Sequence, residues 1–330
     1  PSTPASGKDA AEKVDDTKPA PTTEENNESG GVSVAAAVGV NASIATTVAT
    51  IGKDIKIKSA DGALNVRSQA HTDGSATADG SQTDPGKTTD VGVGAAIALN
   101  VGVSTNVASI SDNAEVETKG VTVSATHPEK EKNDYKAEAT SGAGAGNIGE
   151  AGSLAANVVV NTTVAAIEGD KDSSGKGAAI NAGTGDIIIA ASNATTSTVK
   201  SGAVVKSDSG DPSKPAAVGV GASIGLNVGV NTTVAEVQKD AIVTGGKDLT
   251  LTSKAEHEMS TEVSGGAKGA NISVTPVIAV TLGVNTTVAD LGSVTHPNPG
   301  LDLEGSYSMS AEQTSTHSTT ATGQTQGEKV

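Results

Sequence analysis

VGVGASIGLNVGVNTTVAEV, residues 218–237, alternates its side-chain types with a period of two. Val218, Val220, Ala222, Ile224, Leu226, Val228, Val230 and Val234 share one parity, while Gly219, Gly221, Ser223, Gly225, Asn227, Gly229, Asn231 and Thr233 share the other. A helix would gather its apolar residues at a period of 3.6, so the alternation marks a strand with two chemically different faces. The run exceeds an ordinary strand in length, which predicts a bend near the glycines or at Asn227. Val237 falls on the opposite parity from Val234, which predicts a bulge or corner between them.

The same pattern recurs four more times, at 33–51, 91–110, 149–167 and 277–291. Aligning the copies superposes Asn41, Asn100, Asn157, Asn227 and Thr281, with successive spacings of 59, 57, 70 and 54 residues. Each copy continues into weaker strand pairs around glycine-containing turns at Lys119-Gly120, Gly183-Thr184-Gly185 and Gly245-Gly246. A unit of this size cannot bury both faces of its own strands, whereas stacked units cover one another. The expectation is an all-β, right-handed parallel β-solenoid of about five repeats over residues 31–323, each supplying two or three coils. Valine and isoleucine would fill a narrow interior, and glycine and serine would line the outside or admit close chain approach. A row of small β-sandwiches is the competing architecture, but such units would have meagre cores without large aromatics.

Composition supports thin, repetitive packing. The 330 residues include 40 glycines, two tyrosines and no Cys, Trp or Phe. With 38 acidic against 22 basic residues the net charge is −16, and Arg67 is the sole arginine. That leaves no cationic footprint for nucleic acid. No run approaches 18 consecutive apolar residues, and the composition cannot supply the aromatic girdles of an outer-membrane barrel, so a membrane-spanning role is not expected. Residues 1–30 hold four prolines and seven acids against three lysines, with Val14 the only large apolar side chain. They read as a disordered, acidic, Pro-rich linker, and 324–330 as a flexible tail. Starting at Pro1, the chain reads as a segment of a longer polypeptide.

The reiterated vGvgasialNvgvNTTvA pattern, followed by d.a.v.tgg.l.l.a, resembles the repeats of very large Gram-negative surface proteins, the filamentous-haemagglutinin-like and leukotoxin-like adhesins. The resemblance covers about residues 31–323 and includes no catalytic motif. It implies an extracellular or outer-membrane-associated location, export as an autotransporter passenger or by two-partner secretion, and a non-enzymatic stalk or adhesive segment. The implied partners are a host or bacterial surface receptor, protein or glycan, and further repeats of the same polypeptide. A leukotoxin-like toxin passenger and a polysaccharide-active β-helix enzyme are the alternatives.

The best-marked polar feature is asparagine at the repeat anchors Asn41, Asn100, Asn157 and Asn227, and four residues beyond at Asn161, Asn231 and Asn285. Their amides suit corners or hydrogen-bonded ladders between windings. With several coils per repeat, a continuous ladder would require additional polar residues. Several of these asparagines, with Asn193, also sit in glycosylation acceptor triplets that the repeat itself generates. His71, His127 and His257 follow their anchors by 30, 27 and 30 residues and read as surface loop residues rather than metal ligands. Gly221-Ala-Ser223-Ile-Gly225 matches a nucleophile elbow but lies within an alternating strand. Gly144, Gly146 and Gly149 match a dinucleotide fingerprint without a surrounding βαβ unit. The acids, Asp112, Glu115, Glu117, Asp170 and Asp240 among them, read as a scattered, solvating surface. No catalytic, metal or cofactor set is assigned. Receptor contact is expected in the variable stretches 71–90, 127–140, 168–180, 206–216 and 292–302.

Overall fold

The computed structural model describes residues 31–82, 89–128, 131–144, 147–170, 176–206, 216–268, 270–292 and 301–326. The expected linker at 1–30 lies outside them. The first coil comprises β1 (Gly31–Ile51), β2 (Lys56–Lys58), β3 (Leu64–Gln69) and β4 (Gly74–Ser81). The second comprises β5 (Thr89–Ile110), β6 (Glu115–Glu117), β7 (Val121–Thr126) and β8 (Asn133–Gly144). The third has β9 (Ile148–Ile167), β10 (Ala179–Asn181) and β11 (Ile187–Lys206), and the fourth β12 (Ala216–Val237), β13 (Ile242–Thr244) and β14 (Leu249–Lys268). The fifth holds β15 (Ala270–Val274), β16 (Val277–Leu291), β17 (Leu301–Asp302) and β18 (Tyr307–Gln326). The last strand thus includes residues 324–326; only 327–330 of the expected tail lie outside the described residues.

Like strands of successive coils pair in parallel into three sheets. Sheet A stacks β1, β5, β9, β12 and the β15–β16 pair; sheet B stacks the short strands; sheet C stacks the remaining long ones. The register equates Asn41 with Asn100, Asn100 with Asn157, Asn157 with Asn227, and Asn227 with Thr281. The chain is therefore a parallel β-solenoid in which one repeat makes one coil, not two or three. The missing coils are accounted for by strand length. β12 runs 22 residues as one uninterrupted strand, in continuous register with β9 from Val218 to Val237, since alternating β-branched and small residues satisfy an extended backbone throughout. The stretches 74–81 and 133–144, expected in part as variable loops, are strands of sheet C.

The corners between sheets B and C are described in every coil, and those between sheets A and B in the first, second and fourth. Between sheets A and B, Asp54, Asn113 and Asp240 adopt positive φ at 61°, 57° and 69°, a conformation that short Asp and Asn side chains tolerate. Between sheets B and C, Gly120 and Gly246 do so at 101° and 95°, where any Cβ would be strained.

Sheets A and C converge away from sheet B, so the interior is a wedge. Its wide end, next to sheet B, is filled by Ile110, Ile167, Ile180, Ile187, Leu249 and Leu251, each no more than 1% exposed. Its thin end is packed with alanines such as Ala96, Ala98, Ala137 and Ala155. There a Cβ added to Gly39, Gly94 or Gly221 would run into the backbone carbonyl of Thr77, Gly142 or Gly266.

This thinness reverses the expected facing of the repeat. In β12 the glycine, serine and asparagine parity points inward, and Val218, Val220, Ile224, Leu226, Val228 and Val230 point outward. No parity change follows Val234: the inward series continues through Thr233 and Ala235 to Val237, all buried. What changes along the strand is composition, because the interior widens enough for valine and isoleucine only near sheet B. At about 3.3 Å per residue and 4.8 Å per strand, a 20-residue strand spans some 65 Å while five coils rise about 20 Å. The described body is a broad slab rather than a slender rod.

Candidate functional site: two opposed broad faces

The outward side chains of sheet A stack in columns along the solenoid axis. Val38, Ile97, Leu154, Ile224 and Ile278 form one column, and Ile44, Val103, Val160, Val230 and Val284 another. Val38 and Ile44 of the first coil are 70% and 78% exposed, and Ile97 and Ile224, with coils on both sides, are still 43% exposed. A threonine column, Thr46, Thr105, Thr162, Thr232 and Thr286, crosses the face. None of the strands of sheet A contains a lysine or arginine. Glu150 interrupts the apolar columns, and Glu236 and Asp290 lie in the margin column. Over the 17 residues from Val32 to Val48 and five strands, the face covers roughly 1,300 Å². Monomeric soluble proteins seldom expose contiguous apolar patches beyond about 600 Å².

The opposite face, the outside of sheet C, is polar. β14 turns Thr252, Lys254, Glu256, Glu258 and Glu262 outward while Leu251, Ser253, Ala255, Met259 and Val263 point in. Lys132 pairs with Glu256 at 2.5 Å, and Lys136 with Glu138 at 2.9 Å. The burial of one parity and hydration of the other is what alternation produces when one face packs and the other meets water.

The seven asparagines all lie in sheet A on its inward parity, in two rows. In the first, Asn41 Nδ2 donates to Asn100 Oδ1 (2.7 Å) and Asn100 Nδ2 to Asn157 Oδ1 (2.8 Å). Asn157 Nδ2 then donates to Ser197 Oγ (2.8 Å), which donates to Asn227 Oδ1 (2.6 Å). In the second, Asn161 Nδ2 donates to Asn231 Oδ1 and Asn231 Nδ2 to Asn285 Oδ1, both at 2.8 Å. Because repeats are adjacent coils, neighbouring amides meet directly except between Asn157 and Asn227, where Ser197 of sheet C bridges them. Burial also withdraws three of the acceptor triplets: Asn161, Asn193 and Asn231 are at most 3% exposed, leaving no room for a glycan there.

A layer of complementary sizes lies beside these rows. The Tyr135 ring fills the space over Gly102, Met259 lies over Gly229, and His317 over Gly283. In the third coil the register places Ser197 in the bulky row and Val159 in the glycine row. The exchange keeps the wall separation constant, as close packing requires. Tyr135 donates its hydroxyl to Asn161 Oδ1 at 3.2 Å, and burial pushes its pKa up, so it stays protonated.

The expected surface histidines divide. His71 lies between β3 and β4, with Nε2 3.3 Å from Asp73 and 3.1 Å from the Lys132 carbonyl, and His127 follows β7 with Nδ1 3.4 Å from the Ser192 carbonyl. His257, by contrast, is inside β14 and 2% exposed, at the register position of Thr195 and Ser315. Those two hydroxyls accept from Asn161 and Asn285, whereas neither ring nitrogen of His257 has a partner among the described residues. Its inward parity was the available signal. His296 lies outside the described residues. Desolvation, with the neighbouring His317, holds the pKa of His257 down at about 4. Folding therefore keeps a neutral ring that the unfolded chain protonates near its ordinary 6.5. Stability is complete above pH 6.5 and declines as pH falls toward 4. Urea unfolding at pH 7 and pH 4.5 is expected to show on the order of 2 kcal/mol of acid-side loss that His257→Leu does not suffer. Equal losses in both proteins would refute the assignment.

Ser223 of the elbow-like motif is fully buried, donating to the Ser264 carbonyl at 2.6 Å and accepting from Ser153 Oγ at 3.0 Å, so no substrate reaches it. Gly146 of the fingerprint-like motif lies outside the described residues. Among the described residues, no three His, Asp or Glu side chains are grouped to hold a metal ion, and no helix is long and apolar enough to cross a membrane. An open groove at the corner of sheets A and B is lined by Asp170, Glu236, Asp240 and Asp290 together with Gln238 and Lys239. Asp170 and Asp240, which read as scattered along the sequence, share this groove, and stacking places Glu236 directly beside Asp290.

No protein-family profile, curated protein or solved structure matches the chain.

Proposed function

We propose that this chain is a non-enzymatic attachment segment of a bacterial cell-surface or secreted protein, using its breadth rather than its length. The observation that carries this reading is that each repeat of about 60 residues makes a single coil. A rod built for reach would gain far more length from shorter coils, since every coil adds only about 4.8 Å. This chain places its residues in two wide faces instead. The outside of sheet C, with its threonines, lysines and glutamates, offers repeated hydrogen-bonding and charged groups at strand spacing. A receptor can engage several rungs at once, and weak contacts then sum by multivalency. The resemblance to large adhesin repeats supports the same setting, extracellular and attached to further repeats.

The test is to add the purified chain to epithelial cells, erythrocytes and bacterial cells, following bound protein, released cytosolic marker and newly formed reducing sugar ends. Saturable binding without lysis or saccharide cleavage is expected. Lysis at binding concentrations, polysaccharide turnover, or absence of binding to every surface would overturn the reading.

A further inference from the structure

We propose that a second copy of this chain covers the apolar face of sheet A, so that two solenoids pack sheet against sheet and leave both polar sheet C faces outward. The inference is independent of the attachment role, since it concerns association of the chain with itself.

Area is the first argument. A stable protein interface buries about 800 Å² on each partner, and this face offers roughly 1,300 Å², so an offset or crossed arrangement still suffices. Shape is the second. Four of its strands, β1, β5, β9 and β12, run uninterrupted across the face, and face-to-face sheets stack about 10 Å apart with their inner side chains interdigitated. A column of small residues, Ala36, Ala95, Gly152 and Ala222, leaves a shallow groove beside the bulkier Val38, Ile97, Leu154 and Ile224 column, and a ridge of a facing sheet can seat there.

Charge selects the occupant. A lipid surface is held by apolar residues flanked by lysine, arginine or aromatic side chains, and the strands of sheet A contain no Lys, Arg, Trp, Tyr or Phe. The surrounding chain is acidic, at −16, which opposes an anionic bilayer. A charged partner protein would find nothing to steer it, because the centre of the face carries no ionised group. A second copy brings the same apolar surface with an uncharged centre, and a two-fold arrangement buries identical patches against each other. The acids on the face itself are Glu150, toward one end of its columns, and Glu236 and Asp290 at the opposite margin, so an offset or crossed pair keeps them out of the centre of the contact, and the outward acids of sheet C lie on the far sides.

Sedimentation velocity of the full chain across micromolar concentrations reads the association directly. The native chain is expected to sediment with twice its own mass. Leu99→Lys combined with Val228→Lys, both at the centre of the face, is expected to raise the dimer dissociation constant at least about a hundredfold. The shape-conserving set Val101→Thr, Val103→Thr and Val230→Thr, which keeps strand propensity, is expected to raise it about tenfold. Thr198→Lys, on the outside of sheet C, is expected to leave it unchanged. Vesicles of phosphatidylcholine and of phosphatidylglycerol are run in parallel. A single-chain mass at every concentration, an association indifferent to the sheet A variants, or vesicle capture that those variants abolish would overturn the proposal. The readout involves no cells, so its failure is distinct from failure of the attachment role.

Discussion

Gly221→Val is expected to destabilise the fold by at least about 3 kcal/mol, lowering the thermal midpoint by roughly 5 °C or more. The inward Cβ would meet the backbone carbonyl of Gly266, and with glycine on both walls no side chain can rotate aside. The sheets themselves must separate, which also disturbs the serine cluster of Ser153, Ser201 and Ser223 nearby. Val220→Thr, one residue away and outward, replaces a partly exposed side chain by one of equal shape and similar strand propensity. It is expected to change stability by less than about 1 kcal/mol. The pair is diagnostic because the opposite facing reverses the ranking: with the valines inside, Val220→Thr would bury a hydroxyl and Gly221→Val would merely improve an exposed strand. Paired melts followed by circular dichroism decide it, and comparable losses in the two variants would contradict the wedge.

The repeat, its five copies and their parallel stacking were legible because they rest on periodicity, which survives ignorance of distances. The facing was not. Alternation reveals that a strand has two kinds of face, and the usual inference that the apolar kind is buried assumes sheets about 10 Å apart. Here the walls are closer, and that separation depends on the partner strand: Gly102 makes sense only once Tyr135 is known to lie over it. The coil count failed for a related reason. Repeat length equals coil length only if strands of 20 residues are allowed, and ordinary strands are far shorter. The direction of each Asn227-type side chain then followed from the facing, and so did the burial of His257. Residues at the A–B corner, Glu236 and Asp290, become neighbours through register alone, which no single repeat displays.

Asn157→Leu tests whether the asparagine rows hold the slab together or merely fill it. Asn157 is fully buried in the third coil, accepting from Asn100 at 2.8 Å and donating to the Tyr135 carbonyl at 3.0 Å and to Ser197 Oγ at 2.8 Å. Leucine matches its shape but strands a donor on Asn100 and two acceptors on sheet C, and each orphaned buried group costs about 1–3 kcal/mol. Asn100 keeps its bond to the Gly74 carbonyl at 3.1 Å, which limits the damage on that side. The expected loss is about 3 kcal/mol, against less than about 1 kcal/mol for Asn41→Leu in the half-buried first coil. The stronger test is the double variant Asn100→Leu with Asn157→Leu. If the row is a coupled chain of amides, deleting both neighbours removes one mutual mismatch, and the combined loss should fall short of the summed single losses by at least about 0.5 kcal/mol. Denaturant unfolding of the four proteins measures that coupling. Strict additivity would reduce the asparagines to independent wall contacts and leave wedge packing alone to hold the coils in register.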